Sequence, residues 1–283
     1  MTVRLASTVL LLREAPADDT GAQVEIFMVR RHGKSRFMPD ALVFPGGRLD
    51  DADSDADLAT ACDLTVEEAA ITMGRPEGLG LLIAGIRETF EEAGVLLAED
   101  KDGDLIILEG DQGARFAAHR QALNEGTLAF NALVADEGLT LRTSSCRYVT
   151  RWITPEVEPR RYDTHFLMAR APAGQRPSHD GHETTAGGWW RPQDTLTAYE
   201  AGEIKLAPPT LRILTAISTI PTVDGLLDLR SGVPDPIVPQ GHLTEDGLLL
   251  LMPGDPDFEG APVTGRDRFS QKDGRWHSEG ERW

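Results

Sequence analysis

The sequence predicts an α/β fold. Apolar stretches of strand length at 3–12, 24–31, 41–44, 146–153, 161–169 and 187–191 are interleaved with helical patterns at 81–93, 112–124, 127–136, 192–201 and 208–220. Turn residues separate these segments, and 283 residues suffice for one large domain with elaborations or one domain and a small appendage.

The first two stretches, rich in Val, Leu, Ile and Phe, flank Asp18-Asp19-Thr20-Gly21, and a turn there makes them an antiparallel pair. Ala41 to Phe44 reads as a short strand stopped by a tight turn at Pro45-Gly46-Gly47. Residues 50–70 are acidic and alanine-rich, and Thr65-Val66-Glu67-Glu68 has the form of a capping box. From Leu81 the spacing of Leu82, Ile86, Phe90 and Ala93 keeps an apolar stripe on one helical face until Gly94. Residues 105–108 read as a further strand, and prolines at 192 and 208–209 open the last two helices. Beyond Gly232 helical periodicity disappears, and Asp273-Gly274 between Arg268–Lys272 and Arg275–Ser278 predicts a type I′ hairpin. The run Leu248 to Met252, with Phe269 and Trp276, is too apolar for water, so it docks on the chain itself or on a second subunit, which makes a homodimer one expectation.

Composition narrows the function. A hydrophobic share of 40% and a charged share of 26% are those of a globular protein, and no run approaches the roughly 18 apolar residues of a spanning helix. The net charge of −18 repels nucleic acid and anionic membranes, so neither is an expected partner, and a phosphate substrate needs a local basic patch or metal ions. Cys62 and Cys146 form no disulfide or zinc pattern. A signal peptide is not expected either, because the apolar stretch before Ala15-Pro16-Ala17 is short and broken by Ser7 and Thr8. The chain ends Glu281-Arg282-Trp283 rather than in a peroxisomal tripeptide, and the expected location is cytoplasmic.

Glu88, Glu91 and Glu92 stand at i, i+3 and i+4, on one face of the predicted helix. Such faces are usually solvated surface, yet three carboxylates together are also what hard Mg²⁺ or Mn²⁺ ions select. Arg87, four before Glu91, is placed to orient it. Context favours the site. The helix follows a strand ending in Phe44-Pro45-Gly46-Gly47 and closes on Gly94-Val95.

Loop, helix and loop resemble the Nudix box, a glycine, five residues, an acid, seven residues, then Arg-Glu-x-x-Glu-Glu-x-Gly-aliphatic. Its second half matches at Arg87, Glu88, Glu91, Glu92, Gly94 and Val95. Thr89 replaces the usual aliphatic residue. Gly47 and Arg87 are 40 positions apart (87 − 47) where the uninterrupted box has 14, so 26 residues (40 − 14) are inserted, within about 51–80. Asp53 lies six after Gly47, where the box has its first acid.

An insertion inside the box, together with FMPDALVFPGGRLD, IRETFEEAGVLL, WITP, RRYDTHFL and KLAPPT in that order, is similar to the peroxisomal coenzyme A diphosphatases of this superfamily. The resemblance covers about 3–220 and leaves 233–283 as an extension. It implies an α/β/α sandwich around a mixed sheet, with Mg²⁺ or Mn²⁺ held by Glu88, Glu91, Glu92 and the Gly46 carbonyl. Glu183, six before Trp189 in the loop His179-Asp180-Gly181-His182-Glu183, is the implied further acid, and Glu88 or Glu183 the general base. A related coenzyme A signature, basic residues ahead of Phe-Pro-Gly-Gly, is matched by Arg30 and Arg36, although Asp40 stands where that signature has glycine. Arg161, in Arg160-Arg161-Tyr162-Asp163-Thr164, either supplies positive charge to the substrate or only begins a strand whose aromatic packs in the core, and both readings can hold. The implied activity is hydrolysis of the diphosphate of coenzyme A or acyl-coenzyme A to 3′,5′-ADP and a phosphopantetheine. The alternatives are another nucleoside diphosphate derivative, such as ADP-ribose or a dinucleotide, and a non-catalytic nucleotide sensor, which the intact glutamates argue against.

Overall fold

The structure, a computed structural model, describes residues 2–16, 24–33, 38–181, 183–229, 232–245 and 247–280. The turn expected at 18–21, Arg36, His182 and the last three residues lie outside them.

Strands β1 (Arg4–Glu14) and β2 (Val24–Arg31) form the predicted antiparallel pair, with Leu11 opposite Phe27 and Glu14 opposite Val24. The two then splay apart. Into the wedge come β3 (Leu42–Val43), paired with β2, and β4 (Gly46–Arg48), paired with β1. The expected tight turn at Pro45-Gly46-Gly47 is therefore a strand crossing: the Val9 amide donates to Pro45 O at 2.9 Å, and the open edge of β1 draws the glycines into its ladder. The 26 inserted residues supply a 3₁₀ turn at Asp51–Ser54, α1 (Ala56–Thr60) and α2 (Val66–Met73), the last opened by the Thr65 and Glu68 capping box. Helix α3 (Gly78–Ala93) begins three residues before the apolar stripe does and ends as expected on Gly94, at φ 68°.

β5 (Ala98–Glu99), α4 (Gly110–Asn124), α5 (Phe130–Asp136) and β6 (Thr140–Leu141) follow. Residues 105–108 form no strand, because only Leu105 finds a bridge partner, Glu99. Then come β7 (Arg147–Ile153), β8 (Tyr162–Arg170), β9 (Thr184–Trp190), α6 (Pro192–Glu200), α7 (Pro208–Ile217) and α8 (Val223–Leu227). The extension adds β10 (Pro236–Ile237), β11 (Gln240–Thr244), β12 (Gly247–Leu251), β13 (Arg268–Lys272) and β14 (Arg275–Glu279).

The main sheet runs β10-β7-β8-β1-β2-β3, with β4 also on β1 and β9 on β2. It is mixed, since β1 and β8 are parallel and β1 and β2 antiparallel. Alternation along β1 explains the layers. Val9 and Leu11 face one core with Leu82, Ile86 and Phe90 of α3, while Leu10 and Leu12 face another with Ile213, Leu214 and Ile217 of α7. At about 1.5–3 kcal/mol for each fully buried Leu, Ile or Phe, α3 is anchored mainly by its apolar stripe. Its opposite face is left to hold carboxylates.

The extension packs on this same chain. Leu250, Leu251, Met252 and Phe269 are buried, Arg212 of α7 forms a buried ion pair with Asp267, and Tyr199 of α6 exchanges hydrogen bonds with the Trp276 backbone at 2.7 and 2.9 Å. Asp273 and Gly274, both at positive φ, make the β13–β14 hairpin. Leu250 to Met252 of the apolar run that suggested a second subunit are thus covered within their own chain, while Leu248 and Leu249 are half-buried.

Candidate active site

A cleft of about 1060 Å³ opens where β1 and β2 separate, and α3 presents its polar face to it. Arg87, Glu88, Glu91 and Glu92 line the cleft together with Gly46, Gly47, Arg48, Asp50, Asp180 and Glu183. Arg87 organises the group. Its Nε and Nη2 bind both oxygens of Asp53 at 2.8 and 2.9 Å, Nη2 also reaches Arg48 O at 3.0 Å, and Nη1 donates to Glu88 at 2.9 Å and Glu91 at 3.0 Å. Asp53 is 1% exposed, so the acid six residues after Gly47 does meet the arginine of the helix despite the intervening insertion. The insertion loops out from Ser54 and returns at α3 without moving the two apart.

Glu92 is held differently. Its carboxylate accepts the Gly46 amide at 3.0 Å. A Cβ on Gly46 would lie 2.5 Å from Ser7 O and 2.6 Å from Thr8 Cα, and one on Gly47 would collide with the Glu88 carboxylate. Both glycines are needed so that the β4 backbone can pass between β1 and the glutamates. Thr89, the departure at the aliphatic position, is fully buried and satisfied, because Oγ1 donates to Gly85 O at 2.7 Å.

The carboxyls are electrostatically strained. Burial pushes Glu88 up to about 7, opposed by Arg87 and reinforced by Glu91 and Glu183. Burial likewise raises Glu91, and it lifts Glu92 well above the ordinary carboxylate range, with Glu88 and Glu183 adding and the Gly46 amide and Arg31 opposing. Among the described residues no three His, Cys, Asp or Glu side chains already converge as a cation cage. Arg87 and the Gly46 amide hold the glutamates apart. The donor set nevertheless fits a hard divalent ion, being all oxygen, mutually repelling, and given room at Gly47 where a Cβ would fill the space.

Glu183 reaches the cleft from the loop before β9. Asp180 shapes that loop, accepting from the Glu183 amide at 3.1 Å and from the Thr184 amide at 2.9 Å. Arg120 of α4 ties the loop to α3: Nε donates to Glu91 O at 2.9 Å and Nη2 to Ser178 O at 2.8 Å. Neither Asp180 nor Arg120 is singled out by the sequence: Arg120 acts through backbone 29 and 58 positions away, and Asp180 is one polar residue of a loop, bonded to amides three and four positions on.

The expected basic residues need correcting. Arg30 faces away from the cleft, in a shallow depression with Leu42, Trp189 and Trp190, and it is the neighbouring Arg31 that lines the cleft. The cause is strand parity: Arg31 shares the α3 face with Phe27 and Val29, and pairing with β9 shifts register between Arg30 and Arg31. Arg161 does not line the cleft either; Nε is spent on Thr154 O at 2.9 Å. Asp40 adopts φ 62°, in the left-handed region glycine favours, so a glycine would also fit that position without strain. Trp189 and Trp190 sit on opposite faces, Trp189 edge-on to Phe27 at 5.6 Å.

Comparison with known proteins gives the family. A family model described as the NUDT19 Nudix domain matches residues 59–217. The chain is 25% identical to the acyl-coenzyme A diphosphatase NUDT19 of Xenopus laevis, over 89% of this chain and 79% of that protein. Its likeness to the protein of the same name from Gallus gallus is 27%, over 91% and 82%. Among solved structures, a Nudix hydrolase from Alicyclobacillus acidocaldarius superposes with a TM-score of 0.68 at 25% identity, covering 82% of this chain and 99% of that one. A matched family domain spanning more than half of the sequence, on a Nudix fold, identifies this chain as a Nudix hydrolase of the NUDT19 Nudix domain family.

Proposed function

We propose that this chain is a metal-dependent diphosphatase whose substrate is coenzyme A or an acyl derivative, cleaved by water to 3′,5′-ADP and (acyl-)phosphopantetheine. The observation that carries the reading is the single cleft in which the α3 carboxylates, the glycine strand and Arg31 meet, in a chain similar to proteins named acyl-coenzyme A diphosphatase.

Nudix hydrolases generally use divalent metals. In this reading Mg²⁺ or Mn²⁺ is held by Glu88, Glu91, Glu92 and Glu183 with the Gly46 carbonyl. When bound, such an ion neutralises diphosphate oxygens and lowers the pKa of a coordinated water. The chain's own groups do the rest. Arg87 holds Glu88 and Glu91 in place, and Asp53 holds Arg87. Arg31, on the same sheet face as α3, supplies positive charge to the phosphates. Water adds to one phosphorus, the bridging oxygen leaves with the other phosphate, and Glu88 or Glu183 takes the proton from the attacking water.

The two cysteines are free thiols in this fold, and a cytoplasmic location is compatible with that. No helix among the described residues is long and apolar enough to cross a membrane. The family 3–220 domain and the 233–283 extension act together, since both line the cleft.

The test is a panel of coenzyme A, an acyl-coenzyme A, ADP-ribose and a diadenosine polyphosphate at millimolar Mg²⁺ and Mn²⁺, with products identified by mass spectrometry. The expected result is the highest kcat/KM on the coenzyme A compounds. A strong preference for ADP-ribose or the dinucleotide would move the assignment to that substrate, and binding without turnover of any member would make the chain a nucleotide sensor.

A further inference from the structure

The cleft does not end at the carboxylates. Its far wall is apolar and comes from two places distant in sequence, the β7–β8 loop, with Pro155 and Val157, and the C-terminal sheet, with Pro239, Leu243 and Leu248. These two are in contact: a Cβ on Gly241 of β11 would lie 2.5 Å from Val157 Cγ2 and 3.4 Å from Pro155 Cβ. Val157 is 46% exposed and Leu243 83% exposed, two of only eight large hydrophobic residues left open to solvent among the described residues. Both open into the cavity that holds Glu88, Glu91 and Glu92. Elsewhere this chain buries its apolar side chains efficiently, Val9 to Leu12 completely. Solvent-facing aliphatics in a ligand cleft cost stability unless an apolar group covers them.

We propose that the β7–β8 loop and the C-terminal sheet form the subsite for the apolar acyl end of the substrate, with Val157, Leu243 and Leu248 as its contact residues. The proposal rests on the diphosphatase reading and adds what the extension does: it reads the length of the acyl chain. The occupant follows from continuity. One cavity of about 1060 Å³ joins a polyanion-binding end, walled by α3 and Arg31, to an apolar end, and an acyl-coenzyme A is a molecule with both characters. The sheet is fixed for this role, because Tyr199 clamps the Trp276 backbone and Arg212 pairs with Asp267.

Each buried methylene contributes about threefold to fourfold in affinity, and a subsite open on one side about half of that on the logarithmic scale. The expected result is that kcat/KM rises about twofold per methylene from acetyl- to octanoyl-coenzyme A in the wild type. Leu243→Glu and, independently, Val157→Glu flatten that rise, and Leu243→Gln flattens it without introducing charge. The exposure of both residues keeps the variants folded, which circular dichroism checks. A wild type that turns over free and acylated coenzyme A at rates independent of chain length overturns the subsite while sparing the diphosphatase reading. So does an unchanged slope in the variants. A wild-type dimer by light scattering that Leu243→Glu dissociates, with the slope unaltered, overturns it in favour of a second copy as the occupant. No turnover of any coenzyme A compound by the wild type overturns the diphosphatase reading, and the subsite with it.

Discussion

The two walls of the cleft are built on opposite principles. On one wall a short stretch of α3 gathers Arg87, Glu88, Glu91 and Glu92 by charge-assisted hydrogen bonds: Arg87 donates to Glu88, Glu91 and Asp53, and Glu92 accepts from the Gly46 amide. On the other, strands and a loop from Pro155 to Trp276 contribute aliphatic groups that make contact but no ion pair with the cleft's acids. The first wall is local in sequence and rigid by electrostatics; the second is assembled from afar and rigid by packing. Chemistry that tolerates little misplacement sits on the first, and a graded, nondirectional preference suits the second.

That contrast breaks most sharply at the helix. Glu91→Gln and Glu92→Gln remove one charge each but keep the shape, and kcat is expected to fall on the order of 10²-fold or more with circular dichroism unchanged. Near-wild-type metal-dependent turnover in both would remove the carboxylate wall from the chemistry. Asp53→Asn tests whether the buried acid positions Arg87: kcat should fall by about 10- to 100-fold while KM for substrate changes little, as for outer partners of metal ligands. Equal losses in Asp53→Asn and in kcat/KM through KM alone would make Asp53 a substrate contact instead.

Parity along β2 gives a finer comparison. Arg31→Ala should raise KM for coenzyme A about tenfold, the low end of a lost charge-assisted contact at about 1.5–3 kcal/mol, whereas Arg30→Ala should change it less than about twofold. Steady-state kinetics on the two variants in parallel decide it, and the reverse order would restore Arg30 to the substrate.

How much of this was legible follows the same division. The helix pattern, its closing glycine, the Thr65 capping box and the Asp273-Gly274 hairpin are short-range signals, and the elements they predict are there. What escaped depends on partners. Gly46 to Arg48 became a strand only because β1 and β2 splay; the side on which Arg30 or Arg31 emerges depends on a register shift against β9. Asp53 is marked by its place six after Gly47, but its union with Arg87 across 34 positions depends on how the insertion folds, and Arg120 acts on backbone 29 positions away, so no spacing marks it. The apolar wall is read as a tail in need of cover until the fold brings it to the cleft.

A further effect is on stability, away from both walls. Arg75 of the insertion reaches the sheet, binding Asp163 at 3.1 Å and His165 Nε2 at 2.9 Å, while Arg151 also binds Asp163. Arg75 can only donate, so Nε2 accepts and the His165 ring proton sits on Nδ1, donated to Tyr148 Oη at 2.6 Å. Burial, and the nearby arginines against Asp163, push His165 down to about 4. A depressed folded-state value means the neutral ring stabilises the fold above the unfolded value near 6.5, and that contribution is lost as pH falls from there towards 4. On the order of 3 kcal/mol is at stake. The wild-type Tm should therefore drop more steeply between pH 7 and pH 5 than that of His165→Gln; parallel slopes would mean that the insertion is not pinned through a neutral histidine.

The central claim, that water cleaves the diphosphate bridge at the carboxylate wall, is tested most directly by running the hydrolysis of an acyl-coenzyme A in H₂¹⁸O and weighing the products. The account predicts one ¹⁸O in the phosphoryl group of either 3′,5′-ADP or the acyl-phosphopantetheine, with the thioester intact and labelled product formed on the order of 10²-fold more slowly by Glu92→Gln. Label appearing instead in a released carboxylic acid, or in phosphate products formed equally well by Glu92→Gln, would contradict it.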